Sequence, residues 1–167
     1  DITAPILKSL SLNSTTIDLS NNDVTVSGTI RLTDDMSGLK HGWFKWTSPN
    51  LENAVYTNFY PSDLQTGNKL DGIYNINTTF KQGHQNGTWN LTHIDLTDNL
   101  DNRIIKSDIT QVDDYGFRQQ IEVVNSAEDI TAPILKSLSL NSTTIDLSNN
   151  DVTVSGTIRL TDDMSGL

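Results

Sequence analysis

The sequence contains no cysteine, no long apolar run and no excess of basic residues. Without cysteine, no disulfide can staple the fold, and no thiolate can act as a nucleophile or a metal ligand. No stretch reaches the ~18 consecutive apolar residues that indicate a transmembrane helix. We therefore expect a domain that relies on its own hydrophobic core and does not insert into a membrane.

Lysine and arginine are scarce relative to the acidic residues. There are 11 of them against 21 aspartates and glutamates, which gives a net charge of −10 and a pI near 4.4. Nucleic acids bind to basic surfaces because their phosphates are negatively charged, so this balance argues against a nucleic-acid partner. It is compatible with divalent cations, which prefer carboxylate oxygens.

Sequence motifs of common catalytic and metal sites are also missing. The chain has no Gly-x-Ser-x-Gly turn, no phosphate-binding glycine loop and no EF-hand loop. The histidines His41, His84 and His93 fall on different predicted elements and are too few for a zinc site without thiolates. We expect that the protein is not an enzyme.

A long internal repeat organises the chain. Residues 1–39 recur without a change at 129–167, so the period is 128 residues. A unit of this length matches the commonest domain size and can bury a core without help from its neighbours. The sequence therefore predicts a tandem array, in which 1–128 is one complete repeat and 129–167 is the first third of the next. Neighbouring identical repeats are the expected partners.

Apolar and polar residues alternate along most of the repeat, which is typical of strands with one buried face. The alternation slips near Thr92 and His93, as it does at a β-bulge. No segment has a convincing helical pattern. The predicted strands are 5–12 and 15–19, 24–33, 42–47, 55–60, 73–80, 88–96, 103–109 and 117–124.

These strands predict an all-β fold, an immunoglobulin-like antiparallel β-sandwich of seven or more strands. Phe44 and Trp46 fall on one side of their strand, and Trp43 and Lys45 fall on the other. We expect the first side to face the core. The residues predicted to be deeply buried are Ile30, Phe44, Trp46 and Trp89.

Five short motifs, in order, resemble bacterial Ig-like repeats of large surface proteins and adhesins. They are Asp-Ile-Thr-Ala-Pro at 1–5, Thr-Asp-Asp-x-Ser-Gly at 33–38, Asp-Gly-x-Tyr at 71–74, Gly-Thr-Trp at 87–89 and Leu-Thr-Asp-Asn-x-Asp-Asn at 96–102. The resemblance implies an extracellular, cell-surface sandwich strung into a stalk or filament, often with calcium at the domain junctions. One departure is Leu100-Asp101, where such repeats often have Ala-Gly, and it adds a carboxylate.

Several aspartates fall in segments that gather at one end of an Ig-like sandwich. Calcium takes ~6–8 oxygen ligands, so carboxylates that converge from different loops are a suitable donor set. Asx residues also favour turns without any metal, which leaves a purely local role open for each of them. The candidate calcium ligands are Asp1, Asp34, Asp35, Asp98, Asp101 and the repeated Asp129, with Asp71 close by.

Two functions remain open at this stage. The first is a structural spacer that holds another module away from a bacterial cell surface. The second is a carbohydrate- or partner-binding module in which Trp43 and Tyr60 form an aromatic platform. Because 129–167 repeats 1–39, exchange of these strands between copies of the chain is a further mode of assembly.

Overall fold

The computed structural model describes residues 1–163, which form two compact units. The first unit is Asp1–Glu128, and the second begins at Asp129. The strands of the first unit are β1 (Ile6–Leu12), β2 (Thr16–Asp18), β3 (Val24–Thr33), β4 (Leu39–Thr47), β5 (Ala54–Phe59), β6 (Leu64–Gly67), β7 (Asp71–Phe80), β8 (Gly87–Asp98), β9 (Arg103–Lys106) and β10 (Gln120–Val124).

The ten strands form two sheets. The first has the order β1-β3-β7-β6, and the second has the order β2-β10-β8-β4-β5, with β9 also paired to β8. Every pairing is antiparallel except that of β2 with β10, which is parallel. The all-β class predicted from the alternation is confirmed.

The inward side chains of both sheets share one hydrophobic cluster. Strand β7 alternates strictly between exposed and buried residues, as a strand with one solvated face must. Across the two sheets, the rings of Phe80 and Trp89 meet edge to face with their centroids 5.4 Å apart. The four residues predicted to be deeply buried are all fully buried: Ile30, Phe44, Trp46 and Trp89.

The predicted irregularity in the strand around Thr92 is confirmed. Lys45 of β4 pairs with His93 of β8, whereas the next residue, Trp46, pairs with Leu91. Thr92 is therefore the extra residue of a β-bulge. The bulge allows Leu91 and Ile94 both to face the core.

The prediction of no helix was wrong. The helix α1 (Ile109–Asp114) lies between β9 and β10, which both pair with β8. The Oδ1 atom of Asp108 accepts a hydrogen bond from the Gln111 N–H at 2.9 Å and caps the helix, while Val112 is buried in the core. A single 3-10 turn, Pro61–Asp63, follows β5. No helix among residues 1–163 has the length and apolarity needed to cross a membrane.

The ends of the first unit lie at opposite poles. The N-terminal pole comprises Asp1 and the loops 34–38, 68–70 and 99–102, and the C-terminal pole comprises the loops 20–23, 48–53 and 81–86 with 125–128. Strands β3 and β7 connect the poles, because Thr33 pairs with Asp71 at one end and Val24 with Phe80 at the other. Ten extended residues place the poles ~33 Å apart.

The second unit contains β11 (Ile134–Leu140) and β12 (Gly156–Thr161). They pair in the same register as β1 and β3, with Ile134 opposite Thr161 as Ile6 is opposite Thr33. The apolar side chains differ in burial, however, since Ile158 is 62% exposed while the corresponding Ile30 is fully buried. The last four residues of the predicted partial repeat, 164–167, lie outside the described residues.

Candidate cation site

Segments that are distant in sequence meet at the N-terminal pole. The backbone N–H of Asp34 donates to the carbonyl of Leu70 at 3.0 Å, and that of Asn99 donates to the carbonyl of Gly38 at 3.1 Å. The side-chain amide of Asn102 donates to the Asp1 carbonyl at 3.4 Å. These contacts place the predicted aspartates of the first unit at one end of the domain.

Three of these aspartates have carboxylates that converge. One oxygen from each of Asp1, Asp34 and Asp35 lies within 4.8 Å of the other two. The Asp34 Oδ1 atom accepts hydrogen bonds from the backbone N–H groups of Met36 at 3.1 Å and Gly38 at 2.7 Å. Its Oδ2 atom is buried and has no hydrogen-bond partner among the described residues. We call Asp1, Asp34 and Asp35 the acidic triad.

Glycine at position 38 lets the loop turn back onto Asp34. Its φ is +79°, in the left-handed region that side chains rarely adopt. A Cβ atom there would also lie 2.8 Å from the Cβ of Lys69. The close turn brings the Gly38 N–H to Asp34 Oδ1, which fixes the carboxylate with its second oxygen buried.

The geometry of the acidic triad fits a hard divalent cation. Calcium–oxygen bonds are ~2.3–2.6 Å long, so two ligands on opposite sides of the ion are about 5 Å apart. The triad oxygens lie within 4.8 Å of one another, so one ion could contact all three carboxylates. A buried carboxylate oxygen without a donor is unfavourable, and a bound cation would satisfy it.

The other predicted ligands are engaged elsewhere. Asp101 is bound to Lys40, with Nζ 2.6 Å from Oδ1, and Asp71 forms a two-bond ion pair with Arg31 at 2.8 and 2.6 Å. The hydrogen bonds from Arg31 hold the pKa of Asp71 below its usual value. Neither carboxylate belongs to the acidic triad.

Asp98 organises the β8–β9 loop. Its Oδ1 atom accepts hydrogen bonds from the N–H groups of Leu100 and Asn102, both at 2.8 Å, and its Oδ2 atom accepts one from the Asn102 amide at 2.7 Å. Burial alone would raise the pKa of Asp98, but these hydrogen bonds outweigh it and lower the pKa. Its oxygens stabilise a turn in this structure.

The same acidic cluster recurs in the second unit. One oxygen from each of Asp129, Asp162 and Asp163 lies within 4.8 Å of the others, as in the acidic triad. Thr131 donates hydrogen bonds from its hydroxyl to the carboxylates of Asp129, at 3.3 Å, and Asp163. Asp129, the candidate ligand from the second copy, therefore has two acidic neighbours of its own.

Trp43 and Tyr60 do not share an aromatic contact. Trp43 is half-buried on the outer face of the second sheet, where it stacks on His93 with the ring centroids 4.2 Å apart and also contacts Tyr56 at 5.8 Å. Tyr60 is exposed and packs against His41 at 5.5 Å. The two residues of the predicted aromatic platform therefore lie in separate aromatic clusters.

A buried charge on that same face of the sheet was not predicted from the sequence. Asp95 is only 1% exposed, and the Nε atom of Arg103 donates to its Oδ1 at 2.9 Å, with a second bond from Nη2 to Oδ2. The bulge at Thr92 explains its position, because it turns His93 and Asp95 outward beside Trp43. Besides Arg103, the Nε2 atom of His93 lies 3.8 Å from the Oδ2 atom of Asp95.

A known protein family matches most of the chain. Residues 1–130 match a family described as a domain of unknown function (DUF7035). No curated protein matches the chain, and no solved structure matches it.

Proposed function

Since the chain belongs to the DUF7035 family, we propose that it is a structural spacer in a tandem array of extracellular domains, with calcium bound at the N-terminal pole of each repeat. The observation that carries the proposal is the unchanged recurrence of residues 1–39, together with the matched acidic clusters at the start of each copy. The role is mechanical and adhesive rather than catalytic.

The strand order supports an immunoglobulin-like sandwich. In that fold one sheet has strands A, B, E and D, and the other has G, F and C with an added C′ in the variable type. The first sheet, β1-β3-β7-β6, corresponds to A-B-E-D, and β10-β8-β4-β5 corresponds to G-F-C-C′. The parallel strand β2 is then a second part of strand A.

Three observations support an array. The period is 128 residues, and the family match covers 1–130, so both describe a unit of nearly the same length. The strands of the second unit repeat the register of β1 and β3. The ends of the first unit lie at opposite poles, which suits a domain that spans the distance between its neighbours in the chain.

The extracellular location rests on the resemblance to bacterial Ig-like surface repeats. The acidic composition and the absence of disulfides are both compatible with it. Free calcium is more abundant outside cells, where calcium-binding modules with Kd values of ~10⁻⁴–10⁻³ M are used. A spacer of this kind would be stiffened only in the calcium-containing medium.

Thermal unfolding of the chain in calcium and in chelator tests the cation proposal. If only the folded domain binds calcium, the stabilisation is about 2.7 kcal/mol at a hundredfold excess over Kd. The midpoint temperature of unfolding of the wild type should therefore be higher in calcium than in chelator. Asp34→Asn should abolish most of the rise, because it removes the charge from the buried oxygen.

Asp101→Asn is the matched control at the same pole. Asp101 has a φ of +67°, which asparagine also tolerates, and it lies outside the acidic triad. This variant should respond to calcium as the wild type does. A midpoint that calcium does not move, or an equal loss of response in both variants, would contradict the site.

Binding of carbohydrate has less support as an alternative. A sugar-binding platform needs a free aromatic face, whereas Trp43 is stacked on His93 and also contacts Tyr56. Glycan binding that is lost in Trp43→Ala and Tyr60→Ala variants would restore this alternative.

A further inference from the structure

The sequence carries a modification motif that the proposed function does not use. Asn-x-Ser/Thr, where x is not proline, is the acceptor motif for N-linked oligosaccharides in secreted proteins. It occurs at Asn13, Asn77, Asn86 and Asn90, and again at Asn141, which is the copy of Asn13. Asparagine, serine and threonine are common in this chain, so the motif alone does not identify a site. Exposure and hydrogen bonding in the structure distinguish the candidates.

Two groups define the acceptor motif, the side-chain amide of the asparagine and the hydroxyl of the third residue. The motif at Asn13 leaves both accessible. Asn13 is exposed, and its Nδ2 atom donates to no group among residues 1–163. Thr15, the third residue, is also exposed, and its hydroxyl has no hydrogen bond within the same residues.

The turn between β1 and β2 fixes the orientation of the Asn13 side chain. Its Oδ1 atom accepts a hydrogen bond from the Ser27 N–H at 3.0 Å, and its backbone N–H donates to the Ser27 carbonyl at 2.8 Å. The hydroxyl of Ser14 closes the turn by donating to the Thr16 carbonyl at 2.6 Å. Because the amide is held to β3 through its oxygen, a sugar on Nδ2 would break no hydrogen bond of the fold.

The second unit repeats this arrangement. The Oδ1 atom of Asn141 accepts a hydrogen bond from the Ser155 N–H at 2.9 Å, and the Ser142 hydroxyl donates to the Thr144 carbonyl. Asn141 and Thr143 are both exposed. The accessible geometry is therefore a local property of the turn, and each copy of the repeated segment carries it.

The motif at Asn90 is built into the sheet. Asn90 is half-buried, its Nδ2 atom donates to the Thr88 carbonyl at 3.4 Å, and its Oδ1 atom accepts from the Gln120 amide at 2.9 Å. The hydroxyl of Thr92 is bonded to that of Thr47 at 2.6 Å. An oligosaccharide on Asn90 would break these contacts, so the folded chain should leave Asn90 unmodified.

The two remaining motifs have exposed asparagines, but the hydroxyls of their third residues are engaged. The hydroxyl of Thr79 is bonded to that of Thr25 at 2.9 Å. The hydroxyl of Thr88 donates to the Glu122 carboxylate at 2.7 Å. The turn between β1 and β2 therefore holds the most accessible acceptor of the first unit.

We propose that Asn13 and its copy Asn141 carry N-linked oligosaccharides. The proposal rests on the extracellular location proposed above, and it adds an export route that supplies a lipid-linked oligosaccharide and its transferase. Transfer forms a bond between Nδ2 of the asparagine and the anomeric carbon of the first sugar. The bond from that carbon to the diphosphate of the lipid breaks, the amide gives up one proton, and the lipid diphosphate leaves.

An oligosaccharide at Asn13 would shield two strand edges. Asn13 lies where the chain passes from β1, at one end of the first sheet, to β2, at one end of the second. Open strand edges invite pairing with other chains, and a bulky hydrophilic group beside them opposes it. In an array of identical domains, every repeat would carry this protection.

Secretion of the whole chain from a eukaryotic cell line, followed by intact-mass measurement, tests the proposal. Thr15→Ala removes the hydroxyl of the motif and should remove one glycan, whereas Thr15→Ser keeps the motif and should remove none. Both variants keep the Thr15 carbonyl, which accepts a hydrogen bond from the Glu122 N–H at 2.8 Å. Thr143→Ala should remove the glycan of the second copy, and it is needed because the segments around Asn13 and Asn141 are identical.

A glycosidase that converts an occupied asparagine to aspartate in heavy-oxygen water locates the glycans directly. Labelling of the peptides that contain Asn13 and Asn141, with Asn90 unlabelled, supports the proposal. A chain whose mass Thr15→Ala does not lower by a glycan, or a label at Asn90, overturns it. The melting temperature in calcium and in chelator is measured on the same material, so a glycosylated chain that does not respond to calcium contradicts the cation site alone.

Discussion

Asp34 and Asp98 show how local hydrogen bonding decides what a carboxylate can do. Asp34 lies in a loop at the N-terminal pole, and Asp98 ends strand β8 at the same pole. Both oxygens of Asp98 accept hydrogen bonds within its own turn, whereas Asp34 keeps one buried oxygen without a donor. A bound cation would therefore stabilise Asp34 more than Asp98, because the buried oxygen of Asp34 has neither a hydrogen-bond donor nor contact with solvent.

His93 gives the fold a dependence on mildly acidic pH. Burial against Trp43 lowers the pKa of His93 below 6.5, although Asp95 acts in the opposite direction. Between this lowered pKa and 6.5 the unfolded chain binds more protons than the folded one, so the free energy of unfolding should fall as the pH falls through that interval.

Urea unfolding at pH 7.5 and pH 5.0 measures this effect. His93→Gln should reduce the difference between the two pH values, because it removes one of the groups whose pKa is lower in the folded chain than in the unfolded chain. His84, whose pKa burial also lowers, should supply the remaining difference. An unchanged difference in the variant would exclude His93 as a source.

At the scale of the strand, Gly42 of β4 leaves room for the ring of Phe59, its partner in β5. A Cβ atom at this position would lie 2.2 Å from Cε2 of Phe59, which is fully buried and packed against Phe44. The ring has no space to move into. Gly42→Ala should therefore cost about 1–3 kcal/mol of unfolding free energy by overpacking.

Asn75→Ala is the control for this change. It also leaves a single methyl group in a strand, but on an exposed face of β7. Asn75→Ala should change the free energy of unfolding by no more than about 0.5 kcal/mol, as most surface substitutions do. Similar losses in the two variants, measured by chemical denaturation, would argue against the close contact at Gly42.

Nine of the ten strands of the first unit were predictable because alternation and turn residues are local signals, and the bulge at Thr92 was predictable for the same reason. Strand β6 (Leu64–Gly67) was missed because its four residues are all exposed and do not alternate. The helix α1 was missed because six residues are too few to show helical periodicity, although Asp108 and Gln111 have the spacing of an N-terminal cap. The partners of Asp71 and Asp101 could not be predicted, because Arg31 and Lys40 reach them only through the register of paired strands.

At the scale of the whole molecule, the same strand sequence occurs in two different environments, once in each unit. Residues 6–33 are covered by the rest of the first unit, whereas their copies in the second unit form a two-stranded sheet with exposed apolar side chains. An isolated pair of strands is marginally stable in water. In the first unit this cover is supplied by residues 40–128.

Hydrogen exchange can compare the two copies directly, because identical neighbours give them identical intrinsic rates. The amides of Leu138 and Ile158 should exchange roughly a thousandfold faster than those of Leu10 and Ile30, which corresponds to about 4 kcal/mol in opening free energy. Adding a second copy of residues 40–128 after residue 167 should slow both to the rates of the first copy. Continued fast exchange in the extended chain would contradict an array of equivalent domains.

The parallel pairing of β2 with β10 has a mechanical consequence. Both strands run toward the C-terminal pole, and they are joined by hydrogen bonds from the N–H of Leu19 to Val124 and from that of Glu122 to Thr15, each 2.8 Å long. Tension between Asp1 and Glu128 pulls β2 and β10 in opposite directions along their axes. The bonds are therefore loaded together in shear, whereas a hairpin pulled from its open end would release them one at a time. A domain held in this way yields abruptly and at a high force, so a pull on the chain is transmitted before any domain lengthens.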